Sequence, residues 1–280
     1  MLADEGLDNV FNPSLLRMGG RRLLTFRHWG PSRRPPFLAS LLVVEEDGSL
    51  ERHDLSAHVS AHGVTNLADP KLLRLGDEAW VAFNDGYSPD RNRIFLMQVT
   101  PSPGPPRECV FAGRSPVEKN WAFFIEGGRL KALYSLDPLR ILESELPGPD
   151  GSALTFEDVA PRAEPAPGQA SGLSIGPQAV VRGSDLHLIA HEKWHVGSWR
   201  AYVGRSAIIR RDGPTPELVL SPRRLVHSAR SMLGSRTKHN RHLLSCTYFS
   251  GLAIEDGRAL LAYGVNDVDF GFAELPLEML

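Results

Sequence analysis

The sequence predicts an all-β chain folded as a five-bladed β-propeller, with residues 1–280 forming one domain. Three observations lead there. First, five stretches are variants of one another: Asn12–Phe26, Asp69–Phe83, Asn120–Tyr134, Gly176–Ala190 and Ser250–Tyr263. Each passes from a polar or Gly/Pro entry through a short apolar run to a two-residue turn. An alternating apolar run and a polar cluster follow. Second, the turn falls at the same place in every copy: Gly19-Gly20, Gly76-Asp77, Gly127-Gly128, Gly183-Ser184 and Asp256-Gly257. These dipeptides supply the positive φ that tight hairpins need. The unit is a β-hairpin recurring about every 50 to 75 residues, a spacing that suggests a solenoid, propeller or array. Third, alternation outcompetes helical periodicity almost everywhere, and no amphipathic helix of a dozen residues is evident.

Taken in order, each hairpin is followed by material for outer strands. Phe37–Val44 reads as the first outer strand, and His53–Thr65 as a polar connector. Arg93–Val99 is the second, ahead of a break at Pro101–Pro106. Arg140–Glu145 is the third; Pro147–Gly172 is a Pro/Gly/Ala-rich lid or spacer with one apolar stretch, Ala153–Phe156. Ala201–Arg210 and Glu217–Leu220 follow the fourth hairpin, and Phe270–Leu275 closes the chain. A four-stranded sheet repeated radially is a propeller blade.

Composition narrows the function. The 280 residues are 42% hydrophobic, ample for a packed core, and carry a net charge of −2. No strongly basic surface is available for nucleic acid. Two cysteines, Cys109 and Cys246, make no disulfide framework and read as reduced thiols of a cytoplasmic protein. The N-terminus has no signal-peptide pattern, and no apolar run approaches the roughly 18 residues of a membrane span.

Hairpin geometry then locates the chemistry. The start of a hairpin's first strand and the end of its second lie at the same end. All five polar clusters therefore face one rim of the central tunnel. They offer Asn12, Arg27, Asp69, Asn84, Asp85, Lys119, Asn120, Asp137, His191, Lys193, Asn266 and Asp267, with Trp121 beside them as a stacking surface. Carboxylates, amides and cations gathered this way suit a small polar ligand. No cofactor and no metal are implied.

The pieces NPSLLR, ADPKLLR with VAFND, KNWAFF with YSLDP, HLIAHEKWH and YGVND resemble the five-bladed propellers around glycoside hydrolase family 130. These are β-mannoside phosphorylases and hydrolases and their glycosyltransferase-like relatives. The resemblance covers about Phe11 to Leu280. It implies an inverting glycosyl transfer with Asp69 as general acid, and ligand contacts from Lys119, Asn120 and His191. The implied partners are a sugar or oligosaccharide together with phosphate or a sugar nucleotide. The chain departs from the family pattern at Ala68, at Lys71 and at Ser174-Ile175-Gly176-Pro177. Inverting transfer needs one protonated carboxylic acid and a nucleophile on the opposite face of the sugar. Burial at the tunnel mouth is expected to keep Asp69 protonated. A glycoside hydrolase and a non-catalytic glycan-binding propeller are the alternatives.

Two strings mimic other chemistries. His191–His195 spells H-E-x-x-H, but the residues before it alternate as a strand, which separates the two histidines by roughly 13 Å. Gly172–Gly176 spells G-x-S-x-G without the preceding strand and following helix that a nucleophile elbow needs.

Overall fold

The computed structural model describes residues 7, 9–30, 37–86, 91–115, 117–159, 172–234, 240 and 242–280. The loop 31–36, most of the basic segment 236–241 and residues 160–171 of the spacer fall outside them. The fold is a five-bladed β-propeller, and each of the five repeated hairpins becomes the inner part of one blade.

Blade one is β1 (Phe11–Met18), β2 (Arg21–His28), β3 (Leu38–Val44) and β4 (Leu50–Asp54). A short helix, α1 (Leu55–Ala61), leads to blade two: β5 (Ala68–Leu75), β6 (Glu78–Asn84), β7 (Ile94–Gln98) and β8 (Arg107–Phe111). Blade three is β9 (Ala122–Glu126), β10 (Arg129–Leu136), β11 (Leu139–Ser144) and β12 (Leu154–Asp158). Blade four has its innermost strand split into β13 (Leu173–Ile175) and β14 (Val180–Arg182), then β15 (Asp185–Val196), β16 (Trp199–Arg210) and β17 (Glu217–Leu220). Blade five is β18 (Leu243–Glu255), β19 (Arg258–Val265) and β20 (Asp269–Pro276).

Within each blade the strands run antiparallel. Between blades, parallel pairing joins β8 to β12 and β16 to β18, so the described strands form one four-stranded and two eight-stranded sheets. Five hydrophobic clusters fill the ring, one at each blade-to-blade seam. The cluster between blades one and two, for example, joins Leu23, Leu41 and Val43 to Leu72, Val81 and Phe95. The seam between blades five and one buries Leu24, Phe26 and Leu42, with Phe270 packed against them. Each fully buried Leu or Phe contributes about 1.5–3 kcal/mol.

The connector expected over His53–Thr65 is partly helical. Asp54 caps α1 by accepting a hydrogen bond from the Ala57 backbone N at 2.9 Å. Leu55 and Val59, four residues apart, both point into the seam between blades one and two. The split in blade four follows from Pro177, which has no N–H for the ladder. No helix among the described residues is long and apolar enough to cross a membrane.

Candidate functional site

Backbone geometry at the blade entries sets the site. Asn12, Asp69 and Asn120 occupy the same place in blades one, two and three, and all have positive φ, +51°, +51° and +67°. Asn and Asp tolerate this left-handed conformation better than other side-chain-bearing residues. In blades one and two it accompanies a β-bulge, seen as register shifts between Phe11 and Ser14 and between Ala68 and Lys71. A bulge re-aims the side chain it carries. Asn12, Asp69 and Asn120 all line a tunnel cavity of about 480 Å³. That lies within the roughly 300–1,000 Å³ typical of small-molecule sites.

Arg27, Lys119, His191, Lys193 and Asp267 complete the sequence-expected part of the wall. Tyr248, Arg200, Tyr202 and Asn240 also line it, without having been singled out by sequence. The other expected residues stand elsewhere. Asn84 is buried and structural: its amide donates to the Ala68 carbonyl at 3.2 Å, and its Oδ1 accepts from Gly86 N. Asp85 is engaged by Arg93, through both the backbone N at 2.7 Å and Nε at 2.8 Å. Trp121 is 2% exposed and stacks edge-on against Tyr134 and Phe156 in the core, so it presents no face to a sugar. Asp137 is exposed in the β10–β11 turn. Asn266 is buried, its Oδ1 accepting from Cys246 N at 2.8 Å.

Asp69 is the central carboxylate. Its Oδ1 accepts from Arg27 Nη1 at 3.2 Å, and both side chains are largely buried, at 13% and 15% exposure. The Arg27 guanidinium lies over the Phe11 and Phe37 rings at 5.3 and 4.9 Å, which fixes its height in the cavity. Burial pushes the Asp69 pKa up, but the charges of Arg27, Lys119 and Lys71 and a hydrogen bond from Asn12 outweigh it. Asp69 is held below the ordinary value of 3.8. Its neighbours thus hold Asp69 ionised, where burial at the tunnel mouth was expected to keep it protonated.

Lys71 lies buried beside Asn120. It is 2% exposed, and its Nζ donates to Asn120 Oδ1 at 2.8 Å and to the Gly176 carbonyl. Desolvation, with the Lys119 charge adding to it and Asp69 opposing, lowers its pKa to about 7. Gly176 is required here, because a Cβ would fall 2.4 Å from the Ile189 carbonyl and 3.2 Å from His191 Nε2. Tyr248 Oη donates to the same Asn120 Oδ1 at 2.9 Å. With two donors on Oδ1, the Asn120 amide is oriented, and its Nδ2 is the end left to donate. His191 Nε2 accepts from the Phe249 backbone N at 2.9 Å, so its proton sits on Nδ1. Desolvation, reinforced by Lys71 and Lys119, lowers its pKa to about 3, and the ring is neutral.

The wall is rich in cations. Among the described residues, Lys119, Lys193 and Arg200 have no carboxylate within ion-pair distance, yet all three line one cavity. A larger cavity of about 700 Å³ lies by the hairpin turns of blades one and two. There Arg21 and Glu45 pair with each other at 2.8 Å.

The H-E-x-x-H string lies on β15, in an unbroken antiparallel ladder with β16. His191 faces the cavity and His195 is exposed further out. No group of three or more metal-ligating side chains converges among the described residues.

No family model matches the chain, and no curated protein matches it by sequence. Solved structures do. One is a member of the GH130 family of mannoside phosphorylases, among glycoside hydrolases that target β-1,2 mannosidic linkages in Candida mannan. It has a TM-score of 0.64 and 13% identity over 97% of this chain and 85% of that one. A second is the β-1,2-mannobiose phosphorylase of Listeria innocua, in complex with β-1,2-mannobiose, at TM-score 0.59 and 12% identity over 98% and 91%. The fold is shared. A GDP-Man-dependent mannosyltransferase from Leishmania mexicana has it too, at TM-score 0.61 and 12% identity over 98% and 87%. These neighbours match the resemblance read from the blade motifs.

Proposed function

We propose that this propeller is a carbohydrate-active enzyme that transfers a glycosyl group with inversion, with Asp69 as general acid where phosphate is the nucleophile and, by microscopic reversal, as the general base that takes the acceptor hydroxyl's proton where a diphosphate is the leaving group. The observation that carries this reading is the gathering, in one cavity, of a left-handed Asp69 with Lys119, Lys193 and Arg200, none of which makes an ion pair among the described residues. Phosphate and a sugar nucleotide supply these two anions. Both fit the activities of the structural neighbours.

The geometry supports a consistent mechanism. Arg27, Lys119 and the amide of Asn120 hold the anion, as charge-assisted donors do. Its negative charge offsets the cations that keep Asp69 ionised, and Asp69 takes up a proton. In phosphorolysis the anion's oxygen attacks the anomeric carbon while the glycosidic carbon–oxygen bond breaks. Asp69 passes its proton to the departing oxygen, and the anomeric configuration inverts. No second catalytic carboxylate is needed. A hydrolase would need one to activate water, and Asp267 is the only other carboxylate lining the cavity among the described residues.

The non-catalytic alternative has one observation in its favour: Arg27, Lys119 and Lys71 hold Asp69 ionised. Incubation with β-mannosides and phosphate, and separately with sugar nucleotides, separates the two readings. Turnover with an inverted product by proton NMR, abolished in Asp69→Asn while ligand binding persists, is the expected result. Sugar binding without turnover of any donor sinks the enzymatic reading and leaves a binding module.

A further inference from the structure

Lys119, Lys193 and Arg200, which make no ion pair among the described residues, belong to two different parts of the fold. Lys119 sits at the entry of blade three, next to the oriented amide of Asn120. Lys193 and Arg200 sit on the β15–β16 hairpin, whose strands are 12 residues each, against eight in β1 and β2. The extra length comes at the cavity end. In that ladder His191 pairs with Gly204, Lys193 with Tyr202 and His195 with Arg200. Directly opposed residues share a face of the sheet, and successive pairs on one face are roughly 7 Å apart. His191, Lys193, Arg200 and Tyr202 therefore form a rising strip on the cavity side, and all four line the cavity. The strip starts beside Tyr248, whose ring lies 4.5 Å from that of His191, and moves outward.

The strip is also a fixed surface. β16 pairs in parallel with β18, matching Arg200 to Leu243 and Tyr202 to Cys246, and the backbone N of Arg200 donates to the His242 carbonyl at 2.9 Å. The opposite face of the hairpin is occupied: Arg224 spans Glu192 at 3.0 Å and lies 5.0 Å over the Trp194 ring. Glu192 thus has its own cation on the far face, and Lys193 and Arg200 are left to face the cavity. A single phosphate held by Lys119, Arg27 and Asn120 leaves this outer pair without a partner.

We propose that the cavity has a second anion subsite, formed by Lys193 and Arg200 with the Tyr202 hydroxyl, so that the ligand carries two anionic groups in series. The chemical class is a diphosphate ester. This subsite presupposes the anion-dependent transfer proposed above, and it selects the diphosphate donor over free inorganic phosphate.

Calorimetric titration of the full chain with inorganic phosphate, pyrophosphate and a nucleoside diphosphate tests it. Pyrophosphate is expected to bind at least about tenfold more tightly than phosphate. Lys193→Ala and Arg200→Ala should each lower pyrophosphate affinity about fivefold while changing phosphate affinity less than about twofold. Lys119→Ala should weaken both ligands, and Arg200→Lys should retain most of the affinity. Melting temperatures within about 3 °C of the parent certify that the variants fold. Tighter binding of the nucleoside diphosphate than of pyrophosphate assigns the ester to a nucleotide; equal binding assigns it to a sugar diphosphate. Outer variants that leave pyrophosphate binding unchanged, or weaken both ligands alike, overturn the second subsite. Phosphate-dependent turnover of a mannoside with no preference for pyrophosphate also overturns it, and leaves the glycosyl-transfer reading standing. Failure of every anion to bind removes both.

Discussion

Arg27→Met isolates the charge that holds Asp69 ionised. Methionine keeps an unbranched stem against Phe11 and Phe37 and removes only the guanidinium. At the observed 3.2 Å and an effective dielectric of about 20, the Arg27–Asp69 attraction is about 5 kcal/mol. Lys71 and Lys119 remain, and water replaces part of the lost field. The net loss should be about 2–3 kcal/mol near pH 7, in line with breaking a buried pair. The same change removes the largest charge that lowers the Asp69 pKa, so that pKa rises. In the parent the folded pKa lies below the ordinary 3.8, so Asp69 stabilises the fold above about pH 4. That contribution fades as the pH falls through the folded value. The variant should therefore be weaker than the parent at pH 7, with the gap shrinking towards pH 3. Urea unfolding across this range measures the gap, and carbon-13 NMR of labelled aspartate reads the Asp69 titration directly. A gap that stays constant with pH would refute the electrostatic account and assign the loss to packing.

Three further outcomes follow from the same geometry. Lys71 has a folded pKa of about 7 against an ordinary 10.5, so the unfolded chain binds the extra proton between these values and parent stability rises with pH across that window. Lys71→Met lacks that rise; denaturation at pH 6.5 and 9.5 should find it losing ground to the parent at the higher pH, by up to about 1.4 kcal/mol per pH unit. Trp121→Ala should cost about 3–5 kcal/mol, read as a lower urea midpoint, because the ring is core. Its ligand affinity under native conditions should hold; a sugar-stacking role would show the opposite pattern. Gly176→Ala should destabilise by about 2 kcal/mol or more through the Cβ clash with the Ile189 carbonyl, and should displace the carbonyl that anchors Lys71. A neutral effect on unfolding would mean the backbone yields there.

Much of the fold is legible because the hairpin carries its own punctuation. Gly19-Gly20 and Asp256-Gly257 fall at observed turns, and the strands flanking them match the alternating runs. The outer strands are harder to read. Arg107–Phe111 sets two charged residues before three apolar ones, with no alternation over its five positions, and Leu50–Asp54 is mostly exposed, so neither stands out from a loop. The helix Leu55–Ala61 is under two turns long, too short for a periodic signal. At the site, residues at blade entries were visible because polar groups interrupt an apolar pattern. Asn84, Asp85 and Asn266 satisfy the same rule but spend their polar atoms on local backbone and neighbours. Tyr248 stayed hidden, and Lys71 stood out only as a departure from the family pattern, for the reverse reason. Each sits within a strand, and only the meeting of blades two, three and five at Asn120 gives it a role.

The ring has two kinds of seam. Blades two and three, and blades four and five, share backbone hydrogen bonds through their parallel strands. The other three seams are stitched near the tunnel by side chains: Thr25 and Ser14 to blade two, Gln178 to blade three, and Ser250 to Pro13. Counted by backbone hydrogen bonding, the ring is three bodies rather than five. Slow breathing of the ring is then hinge motion between blade one and two clamped pairs. The Arg27–Asp69 pair crosses one hinge line, and the Lys71–Gly176 and Tyr248–Asn120 bonds cross between the two clamped pairs. Whatever occupies the cavity acts as a splint across all three bodies, and amide exchange at those seams should slow when it binds.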